Sequence, residues 1–223
     1  ADLTGNDGRG RGVSRGRPRA LVDPFWEKPT RFLVRFLHSC GIFELYNPVN
    51  IPADIGRARG FTMSHEFKRI CLPMSFKTGS VNVYLVRAED GFVLVDTGGT
   101  AQRAELERAL IDASCEPGNL KLIIITHGDF DHTGNAAHLR KKFGGLIAMH
   151  ADDAGMAERG DMFWNRKSGS AFMRFAARQL IKLGEVNHFK PDMLLEDGQD
   201  LFDYGWDARV ISLPGHSKGS IGV

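Results

Sequence analysis

The chain has 223 residues, 42% of them hydrophobic and 25% charged, enough for one domain with a sizeable core and an appendage. A net charge of +2 gives no case for a nucleic-acid partner, no apolar stretch approaches the roughly 20 residues of a membrane span, and no signal peptide opens the chain. The three cysteines, Cys40, Cys71 and Cys115, are odd in number and lack C-x-x-C spacing, which fits reduced thiols in a cytoplasmic protein rather than a disulfide framework.

Residues 1–20 are rich in Gly and Arg and nearly free of large apolar side chains, so they are expected to form a disordered tail. Residues 21–62 read as an N-terminal extension. Within it Phe32, Leu33, Phe36 and Leu37 recur at helical spacing, the pattern of a short amphipathic helix that either covers the main domain or lies on a membrane surface or a neighbouring domain, and Pro48, Pro52, Gly56 and Gly60 mark a linker over 47–62. The main domain is expected over 63–223.

From residue 67 the pattern turns to short strands, at 69–72, 81–87 and 92–96, separated by the turn signals Thr78-Gly79 and Asp90-Gly91. The third strand closes on Asp96. It leads through Thr97-Gly98-Gly99 into a helix predicted over 101–113, with Leu106, Leu110 and Ile111 on its inner side.

The stretch at 121–135, KLIIITHGDFDHTGN, is the centre of the chain. An apolar, β-branched run at 122–125 reads as a buried strand, and it feeds directly into four groups able to bind metal, His127, Asp129, Asp131 and His132. Two carboxylates and two imidazoles crowded at the end of a buried strand would repel or stay unsatisfied without a cation, so the cluster points to a divalent metal. A helix is predicted over 135–143, with Arg140, Lys141 and Lys142 in its last turn, Gly144-Gly145 as its stop and His138 facing solvent. Another strand at 145–149 completes a βαβ alternation and favours parallel pairing. His150 ends that strand, where it either reaches the mouth of the site or stays outside it. Residues 151–190 carry an apolar, aromatic segment with a helix predicted over 170–183, either a lid over the site or a packing helix, and strand-and-turn patterning returns at 194–200 and 207–213.

Four motifs in one order, VNVYLV at 81–86, VLVDTGG at 93–99, H-x-D-x-D-H at 127–132 and LPGHSKGS at 213–220, resemble the metallo-β-lactamase superfamily over about residues 66–223. Its usual signature is H-x-H-x-D-H, so Asp129 stands where the family carries histidine. The resemblance implies an α/β fold, the four-layer αβ/βα sandwich. It also implies one or two zinc ions that activate water for hydrolysis of a small-molecule substrate, an ester, thioester, lactone or lactam. His127, Asp129 and His216 would form one metal site, and Asp131 and His132 would belong to a second, with Asp131 also orienting the attacking water or protonating the leaving group. Asp96 would support the metal loop without binding metal. An added oxygen ligand at Asp129 leaves iron or manganese open as the metal. In the family the PGH histidine is followed by a metal-bridging aspartate and a further histidine, and neither position follows His216 here. The sequence therefore leads us to expect a sandwich with its C-terminal part missing. Two other readings stay open: a di-iron oxidoreductase resembling flavodiiron proteins, and an inactive fragment or binding module.

Overall fold

In the computed structural model, residues 66–74, 79–161, 163–164 and 188–223 are described. Most of the hydrophobic runs read from the sequence become strands of one sheet. Alternation of side chains across a strand gives a central strand two buried faces, and both faces here are apolar. Strands β1 (Phe67–Pro73), β2 (Ser80–Ala88), β3 (Gly91–Val95), β4 (Leu120–Ile125), β5 (Leu146–His150) and β6 (Met193–Leu195) lie in the order β1-β2-β3-β4-β5-β6. The first two pairings are antiparallel hairpins, and the next three are parallel. Parallel neighbours need crossovers, and helices supply them: α1 (Arg103–Asp112) between β3 and β4, and α3 (Ala136–Phe143) between β4 and β5. A single turn, α2 (Phe130–Thr133), precedes α3, and α4 (Ala151–Arg159) leaves β5 directly.

One sheet face, with Leu85, Leu94, Ile123, Ile125, Ile147 and Met149, packs against Leu106 and Leu110 of α1, Leu139 and Phe143 of α3 and Ala154 and Ala157 of α4. The opposite face, with Val93, Val95, Leu122, Ile124, Ala148 and Leu195, is covered by Leu201, Val210 and Ile221. Each fully buried Leu or Ile contributes on the order of 1.5–3 kcal/mol. The short strands β7 (Ile211–Ser212) and β8 (Ile221–Gly222) pair antiparallel as a separate two-stranded sheet. The backbone N–H of Ile221 donates to Thr126 O at 2.9 Å, docking β8 on the end of β4.

Two expectations from the sequence need adjustment, and His150, left open there, takes a definite place. Ile111 is 54% exposed, not inward: the buried stripe of α1 is the i, i+4 pair Leu106 and Leu110, and the next residue turns away from the sheet. His138 does not face solvent alone; α1 and α3 lie side by side, and its Nε2 meets a carboxylate oxygen of Glu107, whose other oxygen takes Lys142 at 2.7 Å. The hydrogen bond from Lys142 outweighs desolvation and, with His138, holds the Glu107 carboxyl below its usual range. His150 serves as the N-cap of α4, its Nδ1 accepting from the backbone N–H of Asp152 at 3.2 Å. The tail at 1–20, the extension at 21–62 and the helix predicted over 170–183 lie outside the described residues.

Candidate metal centre

The site forms at the carboxyl ends of β3 and β4, where two adjacent parallel strands deliver Asp96 and Thr126 side by side. Asp96 takes the left-handed conformation, φ 63°, which Asp adopts more readily than most residues. That turn aims its carboxylate across to the neighbouring strand. Oδ1 accepts the backbone N–H of Thr126 at 2.9 Å, and Oδ2 accepts the Thr126 hydroxyl at 2.7 Å and Nδ1–H of His132 at 2.7 Å. Asp96 is fully buried.

These bonds fix both ring tautomers. The Thr126 hydroxyl has one proton, committed to Asp96, so at 3.1 Å from Nδ1 of His127 it accepts from that ring. Nε2 of His127 and Nε2 of His132 are thereby left as lone-pair donors. The two rings stand 4.1 Å apart, centre to centre.

Asp129 is the N-cap residue of α2, yet its side chain makes no cap bond. The carboxylate turns instead toward the histidines, with Oδ2 2.7 Å from Nε2 of His216 and 3.5 Å from Nε2 of His127. Its backbone carbonyl meanwhile accepts the N–H groups of His132 and Thr133, both at 3.0 Å. His216 comes from the loop between β7 and β8, and its ring lies 4.9 Å from that of His127, edge on. His127, Asp129 and His216 each offer one ligand atom, all within 4.8 Å of one another.

Asp131 and His132 stand beside this group of three. Oδ2 of Asp131 is 3.7 Å from Nε2 of His132, and both residues are buried. All five residues singled out in the sequence as metal ligands thus gather at one end of the sheet, with Asp96 behind them. Burial alone would depress the His132 pKa, but the carboxylate of Asp96, reinforced by Asp131 and Asp129, outweighs it and raises the value above the ordinary one. A buried cluster this negative, with imidazole and carboxylate donors converging, has the donor chemistry that suits a divalent cation.

Sequence reasoning missed one residue that shapes this site. Asp153, in the first turn of α4 and fully buried, accepts the backbone N–H of Gly128 at 2.9 Å and that of Gly219 at 2.9 Å, and receives the Ser217 hydroxyl. The pattern HADDAG shows only the start of a helix, because two of the partners are backbone amides and the third lies 64 positions away.

The model of the metallo-beta-lactamase superfamily matches residues 77–223. The chain belongs to this superfamily. Among its relatives are the hydroxyacylglutathione hydrolase GloC of Haemophilus influenzae, 30% identical over 135 residues that make up 60% of this chain and 55% of that protein, and the acyl-coenzyme A thioesterase MBLAC2 of Bos taurus, 32% identical over 160 residues, 63% of this chain and 52% of that protein. The chain spans about half the length of these relatives. Its fold is that of solved metallo-beta-lactamases such as native FEZ-1 from Legionella gormanii, with TM-score 0.53 and 14% identity over 70% of this chain and 53% of that one. A second is BJP-1 from Bradyrhizobium japonicum, with TM-score 0.50 and 20% identity over 64% of this chain and 50% of that one. The mixed sheet with helices on one face is the α/β architecture expected from the motifs. No helix among the described residues is long and apolar enough to cross a membrane.

Proposed function

We propose that the chain is a metal-dependent hydrolase acting on thioesters. The observation that carries this reading is the convergence of His127, Asp129 and His216, with donor atoms within 4.8 Å, at the end of β4. The thioester class is supported by the relatives, whose names give hydroxyacylglutathione and acyl-coenzyme A as the compounds they act on. The proposed ligands of one ion are His127, Asp129 and His216, and Asp131 and His132 are assigned to a second. Zinc is the first candidate, and the extra oxygen donor of Asp129 brings iron or manganese closer than a third histidine would.

When bound, such a cation acidifies water and polarises an electrophilic carbonyl. The chain's own residues do the remainder. Asp96 and Thr126 hold the two imidazoles in the tautomer that presents Nε2 to the site. In hydrolysis the thioester carbon gains the oxygen of water and loses its bond to sulfur. Asp131, 5% exposed beside His132, takes a proton from the attacking water and returns it to the departing sulfur, so that acid and thiol leave in balance.

The test is thiol release from acetyl-coenzyme A and from lactoylglutathione, with the lactam nitrocefin alongside. Metal-dependent release from at least one thioester, abolished in Asp131→Asn, is expected. Turnover of nitrocefin with no thiol release would replace the thioester assignment by a lactam one, and no turnover of any of the three by metal-loaded protein would remove the hydrolase reading.

A further inference from the structure

We infer that Asp153 is a positioning residue that holds the two ligand-bearing loops of the candidate metal centre in register. The inference rests on the metal reading of His127, Asp129 and His216. These ligands come from segments far apart in the chain, with Asp129 and His216 separated by 87 positions, and something must fix one segment relative to the other. Asp153 belongs to neither. It sits in the first turn of α4 with no solvent exposure, and its carboxylate bonds both loops, Oδ2 bridging the two and Oδ1 adding a second bond to the His216 loop. Oδ2 accepts the N–H of Gly128, the residue between His127 and Asp129, at 2.9 Å. The same oxygen accepts the hydroxyl of Ser217, the residue after His216, at 2.5 Å, and Oδ1 accepts the N–H of Gly219 at 2.9 Å.

Close approach of all three segments is built into the sequence. A Cβ on Gly219 would stand 2.8 Å from the backbone N of Asp153 and 2.9 Å from its Cγ, and a Cβ on Gly128 would stand 2.7 Å from Cβ of Met156, one turn further along α4. Only residues without a side chain let both loops reach the helix this closely. The Ser217 hydroxyl is shared further, 2.8 Å from that of Ser220, whose oxygen also accepts the Ser217 N–H at 3.1 Å, so the His216 loop is closed upon itself where it meets Asp153. A buried carboxylate with three donors from two loops acts as a clamp. Removing one donor loosens the spacing of ligand atoms without touching any of them, and the expected loss of metal affinity is on the order of that seen when a ligand's own hydrogen-bond partner is removed, about 10- to 100-fold.

The experiment titrates chelator-stripped chain with cobalt(II) and reads the visible absorption, whose intensity reports ligand number and geometry. The native chain is compared with Ser217→Ala, Asp153→Asn and, as control, Asp152→Asn, an exposed neighbour of the same charge. Native and Asp152→Asn should bind alike. Ser217→Ala should weaken cobalt about tenfold and Asp153→Asn by about 10- to 100-fold, each with an altered band, while the metal-free thermal midpoint of Ser217→Ala stays within a few degrees of native. Native-like affinity and spectrum in both Ser217→Ala and Asp153→Asn would overturn the positioning role while leaving the metal reading intact. Loss of binding in step with a collapse of the metal-free midpoint in both variants would overturn it in favour of a purely structural role. A native chain that takes up no cobalt overturns the metal reading, and the positioning role with it.

Discussion

Nδ1–H of His132 donates to Oδ2 of Asp96 at 2.7 Å, joining the turn after β3 to the turn after β4 across 36 positions of chain. The same oxygen accepts the Thr126 hydroxyl, which in turn accepts from His127. One carboxylate therefore sets the orientation of two imidazoles. Asp96→Asn keeps the shape but puts an amide nitrogen against donors, so metal affinity is expected to fall about 10- to 100-fold and stability by about 1–3 kcal/mol. Zinc titration and chemical denaturation of the metal-free chain measure the two effects. Unchanged affinity would show that the imidazoles need no such orientation.

Asp129 gives the candidate centre an oxygen donor where the superfamily's usual signature has a nitrogen. Asp129→His should shift selectivity toward zinc and away from manganese and iron(II), because imidazole is the softer ligand. Competition of equal concentrations of zinc and manganese for the stripped protein, read by elemental analysis, checks this. An identical metal ratio in the two proteins would contradict it.

Much of this centre was legible because it is local. The apolar run ending at Ile125 and the four candidate ligands from His127 to His132 lie in one stretch, so strand, turn and donors could be read together. His216 was legible only through its own motif, since nothing in local periodicity ties residue 216 to Asp129. Asp153 was not legible: a carboxylate that binds backbone N–H groups leaves no complementary side-chain pattern. His138 was misread for a related reason. Its partner Glu107 belongs to another helix, and the side-by-side placement of α1 and α3 is a property of the sheet they cover.

A pH effect follows from Asp192, just before β6. Desolvation pulls its pKa upward, but the backbone N–H of Ile147 and the Arg140 guanidinium outweigh that and hold it below the usual carboxylate value. A carboxyl depressed in the folded state contributes stability that is fully present above its unfolded pKa of about 3.9 and is lost as pH falls through the lower folded value. Thermal midpoints of native and Asp192→Asn chains, measured from pH 6 downward, should differ most above about pH 4 and converge below it. A gap that stays constant over that range would rule out the carboxylate as its origin.

The two thiols among the described residues should separate cleanly. Burial pushes the Cys115 thiol up to about 12, far above the ordinary thiol range, so it stays protonated near neutral pH, whereas Cys71 is exposed on β1. Iodoacetamide followed by peptide mass mapping should label Cys71 while leaving Cys115 unmodified until denaturant is added. Labelling of both at equal rates in the native chain would contradict the packing of Cys115 against the helix-covered sheet face.

The most direct test is calorimetric titration of zinc into the chelator-stripped chain, native and with His127→Ala, Asp129→Ala and His216→Ala, at a pH where histidine is neutral. Convergence of the three donor atoms within 4.8 Å should give at least one tight equivalent of zinc in the native protein and a loss of about 100-fold or more in affinity for each single variant, because two remaining ligands are too few to hold the ion. Native protein that binds no zinc, or three variants that bind it as tightly as native, would contradict a metal centre at His127, Asp129 and His216.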